Sequence, residues 1–345
     1  MTNANFNTAV LGYFGYQNAG DDAFHDFWSR TMGVPDASLL KNLRSLNVKS
    51  PVLGGGAIVN EYFISRLPES FDRLSLYGCS FPYGPDDIQL LAPFAGRIGD
   101  IHLRSRRDAE AARELFPSTR YVPDLVFGHD FADRTIAIEE IVGQCEVPPI
   151  EFDFQRKNLF LLLSDHYRPG ELSRHFLVES FKYRIAESLD YLSEFYNIIC
   201  LPMSMWHDSR DNIFAADVVS RMRMREKVAA IDRYLGPDYI FQAIKSQASL
   251  VVSMKYHGIV FAMCAGVPFI NVGDTRKNQD LLVDSGLGAL ESSMGDFDRD
   301  RFLAAVKVAE SADTREIILD TAARNREEVQ AAMKAIGKNL DFSPV

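Results

Sequence analysis

The chain is short of the residues that would tie it to a membrane, to nucleic acid or to an oxidising compartment. It has four cysteines in 345 residues (Cys79, Cys145, Cys200 and Cys264), widely separated and without a CxxC pair. Such spacing offers neither a disulfide framework nor a zinc knuckle, so reduced thiols are expected. No His/Cys/Asp/Glu cluster has metal-ligand spacing, so no metal is expected either. The longest charge-free apolar stretch, residues 258–272, is interrupted by Gly266-Val267-Pro268. It falls short of the ~20 residues needed to span a bilayer. The first residues lack the basic start and apolar core of a signal peptide, and a cytoplasmic location is expected. Basic residues are in deficit as well, 37 Lys and Arg against 47 Asp and Glu, for a net charge of −10. That balance argues against bulk nucleic-acid binding but leaves room for a small anion held by a few local cations.

What is present is ordinary globular material, 47% hydrophobic and 24% charged, in a length that predicts two domains. Short apolar runs alternate with longer helical patterns, as in βαβ units with parallel sheets. The first half predicts strands at 8–13, 50–53, 73–77, 100–103 and 120–123, with helices at 21–32, 85–94 and 106–116. The second predicts strands at 158–164, 197–201, 250–253 and 269–272, with helices at 171–195, at 237–246 and, after the third strand, through 265. The run 221–227, rich in arginine, reads as a solvated helix or as a surface for anionic lipid. Residues 128–157 break the rhythm, and the Pro148-Pro149 pair supports a linker there. The expected division is a domain at 1–140, a linker at 141–157, a domain at 158–312 and a terminal helix at 313–345 that packs back on the first domain. Two such open α/β domains are expected to bind ligands beyond the carboxyl ends of their strands.

Four segments fall at such ends. Gly12-Tyr13-Phe14-Gly15-Tyr16-Gln17-Asn18-Ala19-Gly20-Asp21-Asp22 joins a strand to a helix through three glycines. It lacks the Gly-Lys-Ser/Thr of a Walker loop and the GxGxxG spacing of a dinucleotide site. Asn18 and Asp21 suit either a helix cap or a ligand contact, and the carboxylates favour a sugar hydroxyl over an anion. Gly54-Gly55-Gly56 follows the next strand and serves either close ligand approach or a tight turn. Arg104 ends a third strand, where a guanidinium suits a carboxylate or phosphate, and Asp124 ends a fourth. The fourth segment is Ser253-Met254-Lys255-Tyr256-His257-Gly258, which passes from strand to helix. A cation and an imidazole there can bind an anion and transfer a proton. His166, Arg168 and Trp206-His207-Asp208 are weaker candidates after other strands.

Together these segments resemble the polysaccharide pyruvyl transferase family. The glycine-rich opening is similar to that family's Gly-Tyr-x-Gly-x-x-Asn-x-Gly-Asp-Glu, and Gly54–Gly56 to its glycine triplet. Leu103-Arg104 and Val122-Pro123-Asp124 resemble its Val-Arg and Pro-Asp strand ends. Ser253-x-Lys255-x-His257, Phe261-Ala262 and Gly266-Val267-Pro268 resemble its Ser-x-Arg-x-His, Phe-Ala and Gly-Val-Pro block. Lys277 and Gly286-Leu287 follow where the family shows a Lys and a Gly-Leu. The resemblance implies a GT-B-like α/β fold, two Rossmann-like domains with parallel sheets facing a central cleft. It implies transfer of the pyruvyl group of phosphoenolpyruvate to a glycan or lipid-linked saccharide, forming a ketal and releasing phosphate. In that scheme no cofactor is needed and any membrane contact is peripheral, at the inner face. His257 and Asp21 would be catalytic; Lys255, Arg104, Ser253, Arg168 and Lys277 would hold the donor. Asn18, Gly20, Gly55, Gly56 and Asp124 would meet the acceptor. One departure stands out: Lys255 replaces the family's Arg, so a bidentate fork becomes a point charge. A GT-B nucleotide-sugar glycosyltransferase and a catalytically impaired carbohydrate-binding relative are the alternatives.

Overall fold

A computed structural model describes residues 5–164, 172–206 and 209–342. Two compact units emerge, one of Met1–Tyr16, Asp21–Asp130 and Ala323–Val345, the other of Gln17–Gly20 and Phe131–Ala322. The first boundary therefore falls at 130/131. The 141–157 segment belongs to the second unit and contains no strand or helix between residues 143 and 156.

The first unit is built on a six-stranded, all-parallel sheet. Its strands are β1 (Asn5–Leu11), β2 (Leu39–Leu40), β3 (Asn47–Leu53), β4 (Leu74–Cys79), β5 (Ile98–Leu103) and β6 (Arg120–Tyr121), in the order β2-β1-β3-β4-β5-β6. Every residue of β4 is buried, as expected of a central parallel strand covered on both faces. Leu53, Leu74, Leu76, Ile101 and Leu103 share one apolar cluster with Ala109 and Ala112 of α3 (Arg106–Arg113). Helix α1 (Ala19–Asp26) runs on into a π-turn at Phe27–Thr31, which buries Phe27 and Trp28. The 85–94 pattern is longer than expected and forms 3-10 helix at Pro85–Arg97. Pro93 lies inside it and cannot donate an α-helical bond. A short helix, α2 (Glu61–Ile64), is capped by Asn60, whose side chain accepts the Phe63 N–H.

The second unit carries a five-stranded parallel sheet, ordered β11-β8-β7-β12-β13. It comprises β7 (Lys157–Leu162), β8 (Tyr196–Cys200), β11 (Val228–Ala230), β12 (Ala248–Ser253) and β13 (Phe269–Asn271). A small antiparallel pair, β9 (Met205–Trp206) and β10 (Ser209–Arg210), lies between β8 and β11 in the chain. Helices α4 (Ile138–Val142), α5 (Leu172–Leu192), α6 (Asp211–Ser220), α7 (Pro237–Gln247), α8 (Tyr256–Cys264), α9 (Arg276–Asp284) and α10 (Arg299–Ala309) complete the unit. Register sets Ser253 beside Leu162 on one side and Asn271 on the other, so three strand ends are level. The run 221–227 is not the expected helix. Helix α6 stops at Ser220, and the Asp190 carboxylate accepts the N–H groups of Arg223 and Met224, capping a turn instead.

Helix α11 (Ala312–Asn339) begins in the second unit, and residues from 323 belong to the first. There Val329 fills the space where a Cβ on Gly128 would lie. Cys79, Cys145 and Cys200 are buried free thiols, and Cys264 is free and half-buried. Among the described residues no helix is long and apolar enough to cross a membrane.

The glycine triplet shows how tightly the first unit closes. A Cβ on Gly54 would overlap Val10 and crowd the Trp28 indole, whose N–H donates to Gly54 C=O at 2.8 Å. Gly54→Ala is expected to destabilise the first unit by about 1–3 kcal/mol, the usual cost of overpacking. Gly96→Ala, whose Cβ would meet nothing within 4 Å, should cost under about 0.5 kcal/mol. Chemical denaturation followed by Trp28 fluorescence separates the two; equal costs would contradict the packing account.

Candidate functional site

In the second unit the chain leaves β12 and enters α8 through a turn fixed by Ser253. Its buried hydroxyl accepts the Lys255 N–H at 3.0 Å and donates to the Lys255 C=O at 2.9 Å. A Cβ on Gly258 would overlap that hydroxyl, which explains a glycine in the first turn of the helix. His257 is therefore held as the second residue of α8, where the leading N–H groups of a helix have no intrahelical acceptor. It is half-buried, with Tyr256 edge-to-face at 5.1 Å.

Lys255 is turned to a buried partner. Its Nζ lies 3.2 Å from Oδ1 of Asp211, the first residue of α6, whose side chain is 1% exposed. The other carboxylate oxygen accepts the N–H groups of Met203 at 3.2 Å and Ser204 at 2.8 Å. Burial holds the Asp211 carboxyl above the ordinary carboxylate range, opposed chiefly by the Lys255 ammonium. Breaking such a pair from one side strands a buried charge.

The loop that Asp211 fixes is also the dock for residues 17–20. Met203 C=O accepts the Ala19 N–H at 2.8 Å, Gln17 C=O accepts the Met205 N–H at 2.9 Å, and Asn18 bridges to Ser204. Gln17 has φ of 53°, a left-handed conformation uncommon outside glycine and held here by its neighbours. Asn18 Oδ1 accepts the Gly20 N–H at 3.1 Å, so Asn18 caps α1. Gly20 then lies against the imidazole of His257: a Cβ there would overlap its Nδ1. The two motifs farthest apart in sequence thus meet within one unit.

A second buried shelf supports the same turn. Asn278 donates to Met254 C=O at 3.0 Å and to Asn271 Oδ1 at 2.9 Å, and Asn271 also accepts the Gly273 N–H. Lys277 is half-buried in the first turn of α9, next to this shelf in the chain. Asp211, Asn271 and Asn278 were not singled out from sequence. Asn271 does end a strand beside Ser253, and that position could have marked it.

In the first unit the expected residues divide differently. The guanidinium of Arg104 donates to Asp124 at 2.7 Å and to Ser80 Oγ at 3.2 Å, with side-chain exposures of 2% for Arg104 and 0% for Asp124. Arg104 was expected to meet a donor anion and Asp124 an acceptor; the structure engages each with the other. The second oxygen of Asp124 accepts the Val126 N–H. Gly55 and Gly56 have φ of 104° and 94°, with Phe24 packed against Gly55 and Asp21 Oδ1 beside Gly56. Asp22 accepts the Gly15 N–H at 2.8 Å and closes the glycine loop. His166, Arg168, His207 and Asp208 lie outside the described residues.

Two parallel-sheet α/β units, with their polar clusters at the carboxyl ends of the strands, define a GT-B-like protein. The chain belongs to the polysaccharide pyruvyl transferase family, whose model matches residues 18–275, a family of transferases acting on polysaccharides. Solved structures agree on the fold. The UDP-GlcNAc 2-epimerase of Neisseria meningitidis, bound to UDP-GlcNAc, is similar with a TM-score of 0.51 at 9% identity, over 84% of this chain and 76% of that one. MnaA of S. aureus, solved with UDP, has a TM-score of 0.50 at 7% identity, over 93% and 81%. No curated protein matches the chain.

The Gly20–His257 contact makes a testable demand. Gly20→Ala is expected to destabilise the second unit by about 1–3 kcal/mol through overlap with the ring. In a His257→Ala background the same substitution should cost less than half as much. Equal costs in the two backgrounds, by thermal or chemical unfolding, would place the strain elsewhere.

Proposed function

We propose that the protein transfers the pyruvyl group of phosphoenolpyruvate to a sugar of a polysaccharide or its lipid-linked precursor, with His257 as the proton donor. The observation that carries this reading is the position of His257: at the start of α8, against Gly20 of the N-terminal motif, in a chain of the pyruvyl transferase family. Protonated His257 donates to the methylene carbon of phosphoenolpyruvate, which becomes a methyl group. The adjacent carbon turns electrophilic and one sugar hydroxyl adds to it, its proton returning to the imidazole. A second hydroxyl displaces the phosphate and its proton leaves with it, so that a ketal and inorganic phosphate result. A positioned imidazole contributes on the order of 10²–10⁴-fold to such a step.

The donor is trianionic, and Lys255 and Lys277 are assigned to its carboxylate and phosphate, with Arg168 as a further cation on the sequence pattern. Arg104, engaged with Asp124, is assigned to holding the strand ends of the first unit. Asp21, beside Gly56, orients a sugar hydroxyl there. The scheme uses phosphoenolpyruvate as co-substrate and calls on no further cofactor. It sets the reaction in the cytoplasm, where phosphoenolpyruvate is made, with the inner membrane face as the meeting place for a lipid-linked acceptor.

The Lys255–Asp211 pair favours a second reading. An ammonium already neutralised by a buried carboxylate gives less net charge to a donor than the family's arginine. A relative that binds both ligands without releasing phosphate fits that observation.

His257→Ala is expected to lower acceptor-dependent phosphate release from phosphoenolpyruvate by about 10²–10⁴-fold, with donor binding by thermal shift retained. Wild-type turnover in the variant would remove His257 from the role. Binding of donor and glycan without phosphate release in the wild-type protein would establish the second reading. Stabilisation by a nucleotide sugar but not by phosphoenolpyruvate would point to a glycosyltransferase.

A further inference from the structure

At the mouth of the first unit three tyrosines meet. Tyr13 and Tyr16 belong to the loop after β1, and Tyr62 to α2. Ring centroids lie 4.7 Å apart for Tyr13 and Tyr16, and 6.0 Å apart for Tyr13 and Tyr62. Phe63 packs edge-on against Tyr13 at 5.4 Å and Tyr62 at 5.0 Å, and it is buried. Two cations sit over the outer rings, Lys41 Nζ 4.0 Å from Tyr16 and the Arg66 guanidinium 3.3 Å from Tyr62. Burial, with the neighbouring Tyr62 and Tyr16 phenols and the Asp21 carboxylate, pushes the Tyr13 hydroxyl up to about 12, and Tyr16 is raised too. Both hydroxyls also share hydrogen bonds with Tyr62, so the three phenols form one linked group.

Packing alone does not account for this choice of residues. Phe63 does the core work and needs no hydroxyl, whereas Tyr62 keeps 42% of its surface in water and Tyr16 is only half-buried. The cluster stands where β1 ends, and β3 ends beside it in the sheet, followed by Gly54–Gly56. Ligands of open α/β sheets bind at such carboxyl ends. A pyranose ring has an apolar C–H face and a rim of hydroxyls. It calls for flat, electron-rich rings under the face and a few donors and acceptors at the edge. Phenol rings supply the faces and the donors, and Asp21 supplies the acceptors.

We propose that Tyr13, Tyr16 and Tyr62 form a platform on which the sugar ring of the acceptor stacks, C–H face against the phenol rings and hydroxyls toward Asp21. The assignment rests on the transferase reading only for the word acceptor; the platform itself is a claim about a hexopyranose. Saturation-transfer NMR tests it with the full chain and methyl glycosides of glucose, galactose, mannose and N-acetylglucosamine, with UDP as a separate arm. At least one glycoside is expected to show saturation of its ring C–H protons. That signal should fall at least fivefold in Tyr16→Leu and Tyr62→Leu and stay within twofold in Tyr62→Phe, which keeps the ring. Unchanged folding of the variants is checked by circular dichroism. No glycoside signal, an unchanged signal in the leucine variants, or saturation of the uridine ring alone would each overturn the proposal. Thermal stabilisation by phosphoenolpyruvate is measured alongside. If the donor stabilises the protein and no glycoside responds, the platform alone fails. If glycosides respond as expected and the donor has no effect, the transferase reading fails and the platform stands.

Discussion

The candidate site depends on one buried ion pair, Lys255 with Asp211. Taking a carboxylate to 1% exposure is expensive, and it is tolerated here because an ammonium at 3.2 Å and two backbone N–H groups receive it. Each of those partners has a second task. The Met203 carbonyl and the Met205 N–H beside them hold residues 17–20, and Gly20 at the end of that segment confines the His257 ring. Lys255 is the residue from which α8 starts. One carboxylate therefore fixes the cation, the imidazole and the loop that packs on it.

The first unit solves the same problem with other residues. Asp124, beyond β6 and capping the 3-10 turn Leu125–Gly128, is buried by the Arg104 guanidinium and the Val126 N–H, and Ser80 takes the remaining reach of Arg104. In both units a buried carboxylate closes the strand ends, where backbone groups turn away from the sheet and must find partners. Small residues then let side chains approach closely: Gly54, Gly55 and Gly78 beside Val10, Phe24 and Leu125, and Gly258 beside Ser253. The glycines that mark ligand-binding loops in a sequence are here also the means by which those loops pack.

The fold was legible because its signals are local. Unbroken apolar runs such as Leu159–Leu163 become central strands, and their alternation with helices dictates parallel sheets. The short strands β2, β9, β10 and β11 have no counterpart among the expected strands, and the arginine-rich run at 221–227 does not continue a helix because Asp190, 33 residues away, caps its backbone. In the site, Ser253, Lys255 and His257 stand where strand meets helix, as the pattern predicted. What sequence could not supply was pairing. Asp211 lies 44 positions before Lys255, and nothing near it in the chain announces that partner. Likewise, twenty residues separate Arg104 and Asp124, whose side chains lie 2.7 Å apart.

Asp211 and Lys255 act as one energetic unit at the heart of the site. A double-mutant cycle on the stability of the second unit measures it directly, using Asp211→Asn, Lys255→Met and the two combined. The two single changes are expected to cost together more than the double change, with a coupling energy of at least about 1 kcal/mol, as for contacting charged residues. Additive costs, with a coupling energy indistinguishable from zero, would contradict it.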